Sequence, residues 1–252
     1  MLKKKILVTG GSGRFAKVLK NKHQNLNLYF ASKKECNILS EKSILKTIKK
    51  IKPNIVLHTA ALSRPMNIHE NDVNKSIDLN IVGTSNLVKI CNKFNIKIIY
   101  FSTSYVYEGK KNNYSEDSPV KPFNNYGLSK LGGECAVSMY KNSLILRLSM
   151  TEKPFMYKKA YDNLIANYMF HEDLVKILPK IIKEKGILNV GGKSQSVYSF
   201  AKKKNNEVRK VKATSKIKMP LNQGMSIIKL KKIISKINYC LVAASGIEPL
   251  TS

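Results

Sequence analysis

The chain has 252 residues, a hydrophobic fraction of 43% and a formal net charge of +29. That length and apolar content support one large core with a smaller lobe and exclude disorder as a whole-chain description. No apolar run approaches the roughly 18 residues of a membrane span, and the four cysteines (Cys36, Cys91, Cys135, Cys240) have no Cys-x-x-Cys spacing, so no metal site is expected and buried thiols are.

The start, Met1-Leu-Lys-Lys-Lys, is basic like a signal peptide, but the apolar run Ile6–Val8 is too short for one and leads straight into glycines. It reads as the first strand, Lys5–Thr9, of a cytoplasmic protein. A glycine turn, Gly10-Gly11-Ser12-Gly13, follows, then a helix over Arg14–Asn21 and a second strand over Leu26–Phe30. Ser40 is placed to cap a helix to about Lys50, stopped by Pro53. Asn54–His58 is a third strand. Asn71 to about Asn95 predicts one long helix, with Val73, Ile77, Ile81, Val88 and Cys91 near one face. The continuous apolar run in Lys97–Thr103 suits a strand buried on both sides. After a loop marked by Pro119 and Pro122 come a helix over Asn125–Tyr140 and a strand over Ser143–Leu148.

Strands alternating with helices predict an α/β fold, a Rossmann-like doubly wound parallel sheet over residues 1–150. Ligands of such sheets bind at the carboxyl ends of the strands. The glycine turn, His58-Thr59-Ala60, Ser102-Thr103 and Arg147-Leu148 all fall there. Residues 151–240 predict a small substrate lobe, with a helix over Glu172–Lys185, a strand within Gly186–Gly192 and a helix over Ser226–Ile237. The lysines stop near Leu241, so residues 241–252 are expected to be a disordered, non-native tail.

Three groups carry chemistry. Gly10-x-x-Gly13-x-x-Ala16 lies between a strand and a helix, where glycines admit a pyrophosphate to the backbone and the helix start offers free N–H groups. Ser32, Lys33 and Lys34 end the second strand with no acid, which favours the 2′-phosphate of NADP(H), while NAD(H) remains compatible. Tyr126 and Lys130 stand one helical turn apart, so both leave the same face, and a cation near a phenol favours its ionised form. His58, His69 and His171 have no ligand-spaced partner and read as satisfied or surface residues. The lysines are spread along the chain without an aromatic-interleaved basic motif, so the charge predicts attraction to anionic ligands such as nucleotides, not a dedicated nucleic-acid role.

These motifs, in this order, resemble the extended short-chain dehydrogenase/reductases that act on nucleotide sugars, most closely the dTDP-4-dehydrorhamnose reductase branch. The resemblance rests on Thr9–Gly13, Cys36-Asn37-Ile38, Lys52–Ala61, Asn80, Phe101–Gly109, Tyr126-Gly-Leu-Ser-Lys130 and Leu146-Arg147-Leu148. It implies that Tyr126 protonates a carbonyl oxygen as hydride arrives, that Lys130 binds the nicotinamide ribose and lowers the tyrosine pKa, that Thr103 holds the substrate oxygen and that Asn80 holds a relay water. It implies cofactor contacts at Gly10, Gly13, Arg14, Phe15, Ser32, Lys33, Asn37, Ile38, Thr59, Ala60 and Ala61, and substrate contacts at Ser104, Tyr105 and Arg147. It allows a homodimer. Asn37 replaces a family aspartate. Ser104 stands where an acid follows the threonine in the reductases, and the missing Asp-Glu pair argues against dehydration. The expected activity is NAD(P)H-dependent reduction of a nucleotide-linked keto-sugar; the alternatives are a nucleotide-sugar epimerase with tightly bound NAD and a non-catalytic NADP-binding regulatory subunit.

Overall fold

The structure, a computed structural model, describes residues 4–22, 26–203, 205–214 and 220–244. Six parallel strands form the central sheet: β1 (Lys5–Thr9), β2 (Asn27–Ala31), β3 (Ile55–His58), β4 (Lys97–Thr103), β5 (Ser143–Leu148) and β6 (Gly186–Val190), in the order β6-β5-β4-β3-β1-β2. The order reverses at β1 and β3, which opens a crevice between the loops that follow them. The register aligns the carboxyl ends: Thr9 pairs with Ala31 and His58, and Thr103 with Leu148, which in turn pairs with Val190.

The strands are apolar throughout because both faces are covered. Ile6 and Val8 pack with Phe15, Leu19, Leu174 and Leu178 on one side of the sheet. Leu7 and Val56 pack with Ile44, Leu87 and Val137 on the other. The doubly wound α/β fold is therefore as expected. The helix Glu41–Ile51 is capped by Ser40, whose side chain accepts from the Ser43 N–H, and it ends at Lys52 in a left-handed conformation (φ 49°) just before Pro53. Asn124 caps the helix Asn125–Ser138.

Three expectations need correcting. The sheet does not stop at residue 150: β6 extends it, and the helix His171–Ile181 packs on the helix Arg14–Lys22. The smaller body is built from the short strands around residues 150–170, the helix Val197–Lys202 and a third apolar cluster containing Phe155, Leu164, Phe170 and Phe200. Second, the long helix is broken. A short turn at Ile68–Asn71 precedes Val73–Ser76, then a π-helical stretch at Ile77–Val82, then Gly83–Lys93. In its first half, the polar Ser76, Asn80 and Thr84 face inward, while Val73 and Ile77 are exposed. That stretch faces hydrogen-bonding groups of the site, not the apolar core, so apolar periodicity misreads it. Third, the final helix is Ile228–Ala244, which continues through residues 241–244 of the supposed tail; the rest of that segment lies outside the described residues. Of the cysteines, Cys36 and Cys91 are buried as expected, whereas Cys135 is exposed.

Gly133 marks where the helix Asn125–Ser138 meets the broken helix: a Cβ there would lie 2.7 Å from the Asn80 carbonyl oxygen. Gly133→Ala should cost about 1–3 kcal/mol, seen as a lower denaturant midpoint with an unchanged slope.

Candidate active site

The glycine turn is built for close approach. Gly10 has φ +67°, and a Cβ on it would sit 2.9 Å from the Ala60 backbone. The Gly11 N–H donates to the Ala31 carbonyl at 2.8 Å, tying the turn to β2. Arg14 opens the following helix, whose Phe15 and Ala16 are buried. The Thr59 hydroxyl donates to the Thr9 carbonyl at 2.7 Å, and the Ala60 N–H donates to the Thr9 hydroxyl at 3.3 Å. The turn and the loop after β3 are thus one unit, with Ala60 against Gly10. The glycines are required because the turn packs directly on the Ala60 loop and on β2, and the turn stands between a strand and a helix start, where free N–H groups suit a dinucleotide's phosphates.

His58 sits under that unit. The Thr84 hydroxyl donates to the Asn80 carbonyl at 2.8 Å, so toward the His58 Nε2 at 3.1 Å it accepts. The Nδ1 then accepts from Thr9 at 2.9 Å. The imidazole is neutral, and burial, followed by the Lys130 charge, lowers its pKa to about 3. It is a satisfied core histidine, as expected. His69 bonds Ser76 through Nδ1 at 2.8 Å, and its ring stands 5.0 Å from that of Tyr126. Among the described residues no group of histidine, cysteine and acidic side chains could hold a metal.

At the end of β2 the sequence reading missed an acid. Glu35 folds back to accept from the Ser32 N–H, the Ser32 hydroxyl and the Tyr29 hydroxyl, each at 2.8 Å. The Ser32 N–H contact, then the two hydroxyls, hold its carboxyl below the ordinary range. The Ser-x-x-Glu spacing, which exchanges side-chain and backbone bonds, was the available signal. Lys33 and Lys34 are exposed beside it. Asn37 closes a local turn, its Oδ1 accepting from the Leu39 N–H, and Ile38 is buried against Gly83.

A cavity of about 720 Å³ lies over the carboxyl ends of β4 and β5. Thr103, Ser104, Tyr105 and Tyr126 line it from one side, and Glu152, Tyr168 and His171 from the other. Thr103 is placed by the end of β4, and Tyr126 by the capped first turn of its helix. Gly127 lets that turn lie against the Tyr105 carbonyl oxygen. Burial raises the Tyr126 phenol, while the Thr103 hydroxyl and the charges of Arg64 and Arg14 pull it down, for a net rise. The phenol is therefore protonated at neutral pH.

Lys130 departs from expectation. It is only 3% exposed, and its ammonium lies 4.1 Å from the centroid of the Tyr100 ring, a cation–π contact. The charges that lower the tyrosine are Arg64 and Arg14, not Lys130. Burial drops the lysine to about 7, with Glu134 partly offsetting it. Asn80 also differs. Its amide donates to the Leu62 carbonyl and the Ser129 hydroxyl, each at 2.9 Å, and its Oδ1 accepts from the Leu62 N–H at 2.8 Å. Both amide donors are taken, so the side chain braces the loop after β3 against the Tyr126 helix.

Arg147 does not reach the cavity. It is 4% exposed, its Nη2 is 2.9 Å from the Glu134 carboxylate, and its Nη1 donates to the Tyr107 hydroxyl and the Glu116 carbonyl. Its expected substrate contact is corrected to a structural ion pair. Ser104 donates to the Gln223 side chain at 2.7 Å, so it is held by a late segment of the chain. Arg64 and Glu152, which line the cavity, were not singled out from sequence, because no spacing rule links loops that follow different strands.

A doubly wound sheet with a glycine turn at its switch point, and a Thr103/Tyr126 pair in a cavity beside it, defines a protein of the Rossmann fold class. Residues 4–169 match the family model described as RmlD substrate binding domain, and the chain belongs to that family. It is 39% identical over 104 residues to methionine adenosyltransferase 2 subunit beta of Xenopus laevis, covering 41% of this chain and 31% of that one. It is 28% identical over 155 residues to dTDP-4-dehydrorhamnose reductase of Aggregatibacter actinomycetemcomitans, covering 58% of this chain and 51% of that one. The match thus spans about a third to a half of these relatives' length. The fold is similar to that of the Bacillus anthracis dTDP-4-dehydrorhamnose reductase in complex with NADP, with TM-score 0.82, 22% identity and coverage of 92% of this chain and 93% of that one. It is also similar to that of the Bordetella bronchiseptica enzyme WbmG in complex with NAD and UDP, with TM-score 0.74, 18% identity and coverage of 92% and 89%. No helix among the described residues is long and apolar enough to cross a membrane.

Two predictions separate the structural charges from the cavity. The unfolded chain binds a proton at Lys130 up to about pH 10.4, whereas the folded chain releases it near 7. Between these values the unfolded state holds more protons, so ligand-free stability should rise with pH from 7 towards 10. Lys130→Met should flatten that rise in melting temperature measured across pH. Arg147→Leu removes the guanidinium partner of the buried Glu134, and should cost about 3–5 kcal/mol in denaturant unfolding.

Proposed function

We propose that the chain is an NAD(P)H-dependent reductase of a nucleotide-linked keto-sugar, with NADP(H) favoured. The observation that carries this reading is the protonated Tyr126 phenol facing the same cavity as Thr103, next to the glycine cradle. Gly10, Gly13 and Arg14 with Phe15 would hold the dinucleotide's phosphates, Thr59, Ala60 and Ala61 its middle, and the Ser32–Ile38 turn its adenosine end. The bound cofactor supplies the hydride. The residues do the rest. As negative charge builds on the ketone oxygen, Tyr126 transfers its phenolic proton to that oxygen. The Thr103 hydroxyl orients the oxygen, and Lys130, titrating near neutral pH, lies one helical turn behind the phenol.

Support for the cofactor comes from the Bacillus anthracis reductase, which was solved with NADP, and from WbmG, which was solved with NAD. A homodimer belongs to the same reading, and exposed Val73, Ile77 and Leu128 on the two helices flanking the site offer it an apolar face. A second reading, a cofactor-binding regulatory subunit without turnover, is favoured by the higher identity to methionine adenosyltransferase 2 subunit beta.

The test is NADPH oxidation with a panel of nucleotide 4-keto-sugars. Turnover should appear with at least one, and Tyr126→Phe should lower kcat by about 10²–10⁴ while NADPH binding, followed by fluorescence, is retained. NADPH binding with no turnover across the panel replaces the reductase with the regulatory subunit.

A further inference from the structure

Three loops at the carboxyl edge meet on a single carboxylate. Arg14, the first residue of the helix after the glycine turn, places Nη1 3.0 Å from the Glu152 Oε1 and donates from Nη2 to the Ser63 hydroxyl at 3.2 Å. Arg64, in the loop after β3, donates from Nη1 to both Glu152 oxygens at 3.1 Å. Glu152 itself follows β5 and takes a further bond from the Thr151 hydroxyl at 3.3 Å. Side-chain exposure is 47% for Arg14, 33% for Arg64 and 16% for Glu152, so the guanidinium groups are accessible and the carboxylate is the inner member.

The cluster is unbalanced in charge. Among the described residues Glu152 is the only acid lining the cavity, while Arg14, Arg64, Lys158 and Lys159 all line it. One carboxylate offers two oxygens in one plane to two planar donors arriving from different loops. Two guanidinium groups that converge on the same carboxylate oxygen are better matched by an anion with more oxygens and more charge, which each group can grip through its own pair of N–H bonds.

We propose that Arg14 and Arg64 form a diphosphate clamp which Glu152 masks in the ligand-free chain. A diphosphate entering the cavity takes over the two guanidinium groups, and Glu152 swings away as the displaced counter-ion. Glu152 thereby sets a threshold: a neutral or singly charged ligand cannot compete for the arginines, whereas a diphosphate can. The inference rests on the reductase reading to the extent that two diphosphates belong to it, that of the dinucleotide and that of the sugar nucleotide. The chemistry is shared, and the arms of the experiment tell the sources apart.

The full chain and its Glu152→Gln, Arg64→Ala and Arg64→Lys variants are titrated calorimetrically with inorganic pyrophosphate, NADPH and dTDP. Glutamine keeps the shape and the hydrogen-bonding oxygen but removes the competing charge. Glu152→Gln should tighten pyrophosphate about three- to ten-fold, the range expected for freeing a partly exposed ion pair. Arg64→Ala should weaken it by a similar factor, and Arg64→Lys should restore only part of the loss. Tightening of NADPH alongside pyrophosphate assigns the clamp to the dinucleotide, and tightening of dTDP assigns it to the sugar nucleotide. Pyrophosphate affinity that is unchanged or weaker in Glu152→Gln overturns the proposal, as does failure of both wild type and Glu152→Gln to bind it. Should Glu152→Gln lose cooperative melting, the two Arg64 variants decide: unchanged pyrophosphate binding in Arg64→Ala overturns the clamp. The pyrophosphate arm needs no turnover, so a chain that binds pyrophosphate as expected but reduces no sugar sinks the reductase reading and leaves the clamp standing.

Discussion

The buried pair of Glu134 and Arg147 holds the site together. Glu134 lies one turn beyond Lys130 and two turns beyond Tyr126 on the same helix. Its carboxylate takes the Arg147 guanidinium from β5 and the Ser102 hydroxyl from β4, while Arg147 reaches on to Tyr107 and Glu116. One ion pair therefore fixes the helix against two neighbouring strands and both against the loop after β4. A pair taken so far out of water adds little net stability over apolar packing, but it does not tolerate the loss of one partner. What it provides is placement: the hydroxyl of Thr103, one residue past Ser102, and the phenol of Tyr126 face the same cavity because the elements carrying them cannot slide.

The sheet was legible in the sequence because each strand is an apolar run between a turn signal and a helix. Ser40 with Pro53, and the glycines after Thr9, state their purpose locally. The broken helix was not legible, since its inward face is chosen by Asn80 and Thr84, which answer to partners far away in the chain. A reader of periodicity sees Val73 and Ile77 and turns the helix the wrong way. β6 was visible as a strand but not as a member of the main sheet, because membership is decided by pairing with β5 and not by composition.

The site divides along the same line. Gly10, Thr103, Tyr126 and Lys130 are found at the sheet edge because their order along the chain matches the order of the strand ends. Their charge relations were less legible. Lys130 was expected to work on Tyr126 because it is four residues away, yet it rests on Tyr100 of the adjacent strand. The cations that act on the phenol, Arg14 and Arg64, come from two separate loops, and Glu152 between them comes from a third. Spacing within one helix is readable from sequence; convergence of three loops is not.

The strand-like segment 220–226 bears on how the cavity is held. It runs between the loop after β4 and the smaller body, with Met225 bridged to Tyr114, Asn222 to Lys110 and Ile165, and Gln223 closing on Ser104. Residues that follow β4 are thus held in place by a stretch more than a hundred positions later. The hold of this segment on Ser104, which lines the cavity, ties residues more than a hundred positions apart in the chain into one support. A change at Gln223 would therefore be felt at the cavity rim through Ser104, without any contact of its own with the cavity.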